Sequence, residues 1–106
     1  MTRDEQFALI ETARDSLMRW AGAQRIPLHR MEYVVPFVDT NFGLSAWFFY
    51  KTDEQLRQAE ENGWSDRLSA CLVEVLRDLG YAPDWLWRIR FFFDSHENVL
   101  RHYEGS

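Results

Sequence analysis

The sequence predicts an α+β fold in one domain spanning residues 1–106. The expected form is a three-stranded, mostly antiparallel sheet with helices packed on it, in the order α-β-β-α-α-β-α. Three observations carry this. In some stretches apolar residues recur every three or four positions, the helical period. In three short stretches they alternate or run together, and two of these are the aromatic runs Trp47-Phe48-Phe49-Tyr50 and Phe91-Phe92-Phe93. No repeat, low-complexity tract or linker divides the 106 residues, a length that suits a single core.

Residues 4–23 are predicted to form a helix, because Phe7, Ile10, Ala13, Leu17 and Trp20 make one apolar stripe, with Gly22 and Pro27 bounding its end. Residues 29–38 alternate as a strand. Pro36, which lacks an amide hydrogen, assigns that strand to an edge or a bulge. Asp39-Thr40-Asn41-Phe42-Gly43 is expected to turn, with Asn41 and Gly43 able to take positive φ. Residues 44–51 then form the second and most apolar strand, which completes a hairpin and belongs in the centre of the sheet.

Thr52-Asp53-Glu54-Gln55 has capping-box spacing, so a helix starts there. Asn62-Gly63 interrupts it, and Ser65 is placed to cap a further segment carrying Leu68, Leu72, Val75 and Leu79. Gly80 and Pro83 end that segment. The third strand is predicted over residues 86–93. Ser95 caps a last short helix, with Val99, Leu100 and Tyr103 facing inward and Gly105 ending it.

Strand side chains alternate between two faces, so an unbroken aromatic run puts large rings on both. Phe48, Phe91 and Phe93 are expected in the core with Trp87 and Ile89. The other face collects Arg30, Glu32, Trp47, Phe49, Arg88, Arg90 and Phe92. Trp, Phe and Arg are enriched in protein interfaces, which makes this face a candidate binding surface. The competing reading is that the last helix folds back over it and makes it a second core, with the arginines reaching to the rim. A third reading, base stacking on an RNA-binding sheet, lacks the glycine-aromatic pattern of such sheets.

The charge balance, 17 acidic against 12 basic residues for a net −5, opposes non-specific attraction to nucleic acid or an anionic membrane and favours a basic partner. Of the basic residues all but Lys51 are Arg, the better interface cation. The acids concentrate at Asp53, Glu54, Glu60, Glu61 and Asp66, with Arg57 among them. This stretch is either a solvated helix face or a strip that docks on a cationic surface. Cys71 is the lone cysteine, so no intramolecular disulfide forms. The N-terminus has no signal-peptide core, and no stretch approaches the roughly 18 apolar residues of a membrane helix. A cytoplasmic protein is expected.

Catalytic, cofactor and metal motifs are lacking. His29, His96 and His102 are not spaced as zinc ligands. Asp39–Gly43 lacks the glutamate that would complete a calcium loop. There is no nucleophile elbow, phosphate loop or dinucleotide fingerprint. Asp94-Ser95-His96-Glu97 is the best acid–base candidate, yet the same residues are ordinary helix caps and first-turn residues.

In Asp39-Thr40-Asn41-Phe42-Gly43-Leu44 before an aromatic strand, in Phe91-Phe92-Phe93-Asp94-Ser95-His96-Glu97-Asn98-Val99, and in the terminal Tyr103-Glu104-Gly105-Ser106, the chain resembles the immunity proteins of bacterial contact-dependent inhibition and related polymorphic toxin systems. These proteins are diverse in fold and share no motif, so no functional residue carries over. The resemblance implies a non-enzymatic toxin inhibitor that binds a cognate toxin domain, such as a nuclease with a basic cleft. The alternative is an accessory or homodimeric subunit that pairs through its aromatic sheet face. The expected partner-binding residues are Asp53, Glu54, Glu60, Glu61, Asp66, Trp47, Phe49, Arg88, Arg90 and Phe92.

Overall fold

The computed structural model describes residues 1–104. Helix α1 (Arg3–Ala23) is capped by Thr2, whose hydroxyl accepts from the Glu5 amide, and Asp4 and Glu5 sit favourably in its first turn. Its buried stripe is Gln6, Ile10, Ala13, Leu17 and Ala21. That is rotated slightly from the expected one: Phe7 is exposed and Trp20 half-buried. The helix stops with Arg25 in the left-handed region at φ 59, and the Ile26 amide closes back on the Ala21 carbonyl.

Strands β1 (Leu28–Val34) and β2 (Ser45–Tyr50) pair antiparallel, and β2 pairs parallel with β3 (Arg90–Ser95), giving the order β1-β2-β3. The apolar strand is therefore central and the Pro36-bearing chain lies on the edge, as expected. The sheet is mixed rather than mostly antiparallel, because a crossover of three helices joins β2 to β3. Pro36 falls past the end of β1, since a residue without an amide hydrogen cannot extend the ladder. In the following loop Asn41 and Gly43 keep negative φ. The Asn41 side chain accepts from the Gly43 amide instead, and a Cβ at Gly43 would come within 2.9 Å of Asn41 Oδ1.

Helix α2 (Asp53–Asn62) starts at Thr52, which accepts from the Gln55 amide, while the Gln55 side chain reaches back to the Lys51 amide. Gly63, at φ 71, both ends α2 and begins α3 (Trp64–Leu79). Ser65 is not the cap of α3; its hydroxyl meets the Tyr50 hydroxyl at 3.1 Å. Leu68, Leu72 and Leu76 are the buried stripe of α3, and Leu79 is exposed. Gly80 at φ 95 closes the helix.

The third strand departs most from expectation. Pro83 starts a short helix, α4 (Pro83–Leu86), and strand pairing begins only at Arg90. Proline is well suited to the first helical position, and turn hydrogen bonds carry the chain through Ile89. Trp87, expected in the core, is therefore 74% exposed, while Ile89 is buried. The last helix, α5 (His96–Glu104), is capped by Ser95, which accepts from the Asn98 amide at 3.0 Å. Val99 is half-buried, but Leu100 and Tyr103 are exposed rather than inward-facing. The expected stop at Gly105 lies outside the described residues.

The core is a two-layer arrangement. Ala46, Phe48 and Tyr50 of β2 and Met31 of β1 meet Ile10, Ala13 and Leu17 of α1 and the leucines of α3. Phe48 lies between Phe91 and Phe93, with ring centroids 6.1 and 5.3 Å away. One polar knot sits within this core. The Tyr81 hydroxyl donates to the Phe42 carbonyl at 2.6 Å, and the Gln6 side-chain amide donates to the Tyr81 oxygen at 2.9 Å and to the Gly43 carbonyl at 3.3 Å. It joins the start of α1, the loop before β2 and the end of α3.

Tyr81→Phe leaves Gln6 and the Phe42 carbonyl short of a partner. It is expected to lower unfolding free energy by about 1–3 kcal/mol, read from the urea midpoint, with an unchanged m-value. Phe48→Ala should cost about 3–5 kcal/mol in the same assay.

Candidate functional site

The outer face of the sheet is set by register. Arg30 pairs with Phe49, Glu32 with Trp47, and Val34 with Ser45; on the other side Phe92 pairs with Trp47, Asp94 with Phe49, and Arg90 with Ser45. The rings form a ladder across this face. Trp47 stacks on Phe92 at 4.3 Å and 16° and lies parallel to Phe49 at 6.5 Å. The Arg30 guanidinium covers Phe49 at 4.0 Å, a cation–π contact.

The last helix does not close this face into a second core. It packs against β3 and α2. Phe49 is buried, Trp47 half-buried, and Phe92 36% exposed. Arg90 is exposed on the same face. Arg88 is not beside the ladder. It follows α4, beyond the end of the strand, where its guanidinium lies 4.8 Å from the Trp85 ring and 4.7 Å from the Trp87 ring. The misplacement follows from the late start of β3, which shifts Arg88 out of the pleat.

The acidic residues separate into three groups. Asp53 holds α5 in place: it accepts from Ser95 Oγ and, at 2.5 Å, from Arg101, and these bonds keep its carboxyl below the usual range, Arg101 having the larger effect. Glu54 and Glu61 both pair with Arg57 along α2, and the Arg57 bond likewise lowers the Glu54 carboxyl. These pairs are exposed and i,i+3 or i,i+4, so they steady the helix only slightly. Glu60 and Asp66 form no ion pair or hydrogen bond among the described residues. Both line a groove of about 590 Å³ between β3, α2 and the start of α3.

Phe92 lines that groove as well as stacking on Trp47. The aromatic ladder and the two unpaired acids thus meet at one residue. Of the ten expected residues, Trp47, Phe92, Glu60, Asp66 and Arg90 belong to this neighbourhood with solvent access. Phe49 supports it from below. Asp53, Glu54 and Glu61 are occupied by intramolecular partners, and Arg88 belongs elsewhere.

The sequence placed Arg30 on this face but not among the partner-binding residues, and it assigned no role to the groove's apolar residues Leu56 and Ala59. Only the cross-strand register places Arg30 over Phe49, and no local signal encodes it. Also missed was an exposed apolar cluster at the sheet's end. Val34, Phe37 and Val38 are 61%, 104% and 58% exposed, and Val34 and Phe37 line a second cavity of about 510 Å³ with Trp85, Arg88 and Arg90.

Asp94-Ser95-His96-Glu97 is occupied structurally. Asp94 accepts from the Ser95 amide and the Asn98 side chain, Glu97 accepts from the Asp53 amide, and Arg30 meets His96 Nδ1 at 2.8 Å. His29 packs against His96 with ring centroids 4.9 Å apart. Burial, then the nearby His96, Arg30 and Lys51, push the His29 imidazole below its ordinary value of 6.5. No described helix is long and apolar enough to cross a membrane. Comparison with known proteins finds no matching family model, no matching curated protein and no matching solved structure.

Because His29 takes up a proton less readily when folded, the stability it contributes is present above pH 6.5 and is lost as pH falls below that value. Thermal melts between pH 7.5 and 5 are expected to show a falling midpoint, and His29→Gln should flatten that slope.

Proposed function

We propose that this chain is a non-enzymatic protein-binding protein of the immunity type, which neutralises a cognate toxin domain by direct binding in the cytoplasm. The observation that carries the binding reading is Phe92. It is exposed, it is stacked on the half-buried Trp47, and it borders a groove with two uncompensated carboxylates. Rigid aromatic rings held by register lose little entropy on binding, and such residues form the energetic centre of protein interfaces. The carboxylates and the net charge of −5 favour encounter with a basic surface, such as a nuclease cleft, and disfavour nucleic acid and anionic lipid. The toxin assignment rests on the sequence resemblance alone. The reading requires no cofactor or metal.

The exposed Val34–Phe37–Val38 cluster favours a second reading, in which the sheet end and outer face pair with another copy in a homodimer. Sedimentation as a monomer at high micromolar concentration would exclude it.

The experiment is affinity capture from the native host with the intact chain and with Trp47→Ala and Phe92→Ala. A basic toxin-like domain retained by the wild type, and bound at least ten-fold more weakly by both variants, is the expected outcome. Recovery of the chain alone would overturn the proposal. For the captured partner, Glu60→Lys with Asp66→Lys should slow association several-fold at low salt, with the difference shrinking as ionic strength rises. Stopped-flow association rates check this; an unchanged rate would remove the acids from the interface.

A further inference from the structure

The open edge of β3 is a second feature of the same groove, and it specifies how a partner would enter. β3 pairs with β2 alone, in unbroken register from Arg90 to Ser95. In a parallel ladder alternate residues direct their amide and carbonyl groups to opposite sides. The Arg90 amide bonds the Leu44 carbonyl, so Arg90, Phe92 and Asp94 face β2. Phe91 and Phe93 therefore turn their backbone groups to the open edge, where no described residue bonds them. Those two residues, with Leu56, Ala59, Glu60 and Asp66, line the groove.

An unpaired edge backed by an apolar floor is a template for an added strand. The opposite edge, β1, has a register break at its start, between Leu28 and Arg30, which bends the strand there. The β3 edge has no such break, and what borders it instead is negative charge. Two copies paired edge to edge would bring Glu60 and Asp66 of each against those of the other, which opposes self-association. A strand carrying Lys or Arg would instead be attracted.

Resting on the binding reading above, we infer that the groove receives an extended segment of a partner protein, added as a fourth strand beside β3. Its outward backbone groups pair with Phe91 and Phe93. Side chains on its α2-facing side are apolar where they meet Leu56 and the Phe91 and Phe93 rings, and Lys or Arg where they reach Glu60 and Asp66. The strand-addition mode is thus specific for an extended partner with apolar and basic residues on one strand face rather than for a second copy of this chain.

The test is selection from a displayed library of random octapeptides against the intact chain. The expected result is enrichment of sequences that carry both apolar residues and Lys or Arg at every second position, on one strand face. A synthetic selected peptide should protect the Phe91 and Phe93 amides from hydrogen exchange by at least ten-fold. N-methylation of its alternate amides should weaken binding at least ten-fold, as should Glu60→Lys with Asp66→Lys, which alters only exposed positions. Absence of sequences with apolar and basic residues on one strand face, indifference to N-methylation, or protection at other amides would each overturn the inference. If the captured partner still binds through Trp47 and Phe92 while the β3 edge stays unprotected, strand addition is wrong and the binding reading stands. If neither surface responds to a partner, both are wrong.

Discussion

The central strand is apolar on both faces, and the remaining architecture answers that condition. Ala46, Phe48 and Tyr50 face inward and are fully buried, while Trp47 and Phe49 face outward. A strand of this kind has its backbone satisfied only when flanked on both sides, which the order β1-β2-β3 provides. Its inner rings need a helical layer, and α1, α2 and α3 supply it. Its outer rings have helical cover only at the Phe49 end, where His96 and Asn98 of α5 bond Arg30 and Asp94. Along the rest of the face they are stacked on one another, with Arg30 over Phe49.

This partial solution explains why the outer face stays ordered without being a core. Stacked rings at 4.3 Å and a guanidinium at 4.0 Å exclude water between them, but they leave the rim at Phe92 open. The Asp53 cluster contributes indirectly. By tying Ser95 and Arg101 together it holds α5 beside α2, away from the exposed end of the ladder. The acids spent on that clamp and on Arg57 are not available to a partner, which leaves Glu60 and Asp66 as the unpaired acids of the stretch from Asp53 to Asp66. Position rather than abundance of charge therefore defines the groove.

Much of the fold was legible because its signals are local. Periods of 3.6 and 2, Thr52 with Gln55, Gly63, Gly80 and Ser95 each act within a few residues, and each marks an observed boundary or cap. The inner rings Phe48, Phe91 and Phe93 were legible for the same reason. The failures were competitions between local signals. Pro83 starts a helical turn that displaces the third strand, so Trp87 and Arg88 lose the strand phase their alternation suggested. Gly63 takes the capping role that Ser65 had been expected to fill.

The sequence by itself determined that three strands and their helices form one α+β unit, that β2 is central, and that large rings must occupy both faces of the sheet. These follow from side-chain periodicity and backbone hydrogen bonding, which act along the chain. Only the tertiary structure decided which rings are open, which acids are unpaired, and that the β3 edge is free beside them. Those properties depend on register and on pairs far apart in sequence, such as Arg30 with Phe49 and Asp53 with Arg101. Contacts of that kind are fixed by the packing of whole elements, and no local pattern encodes them.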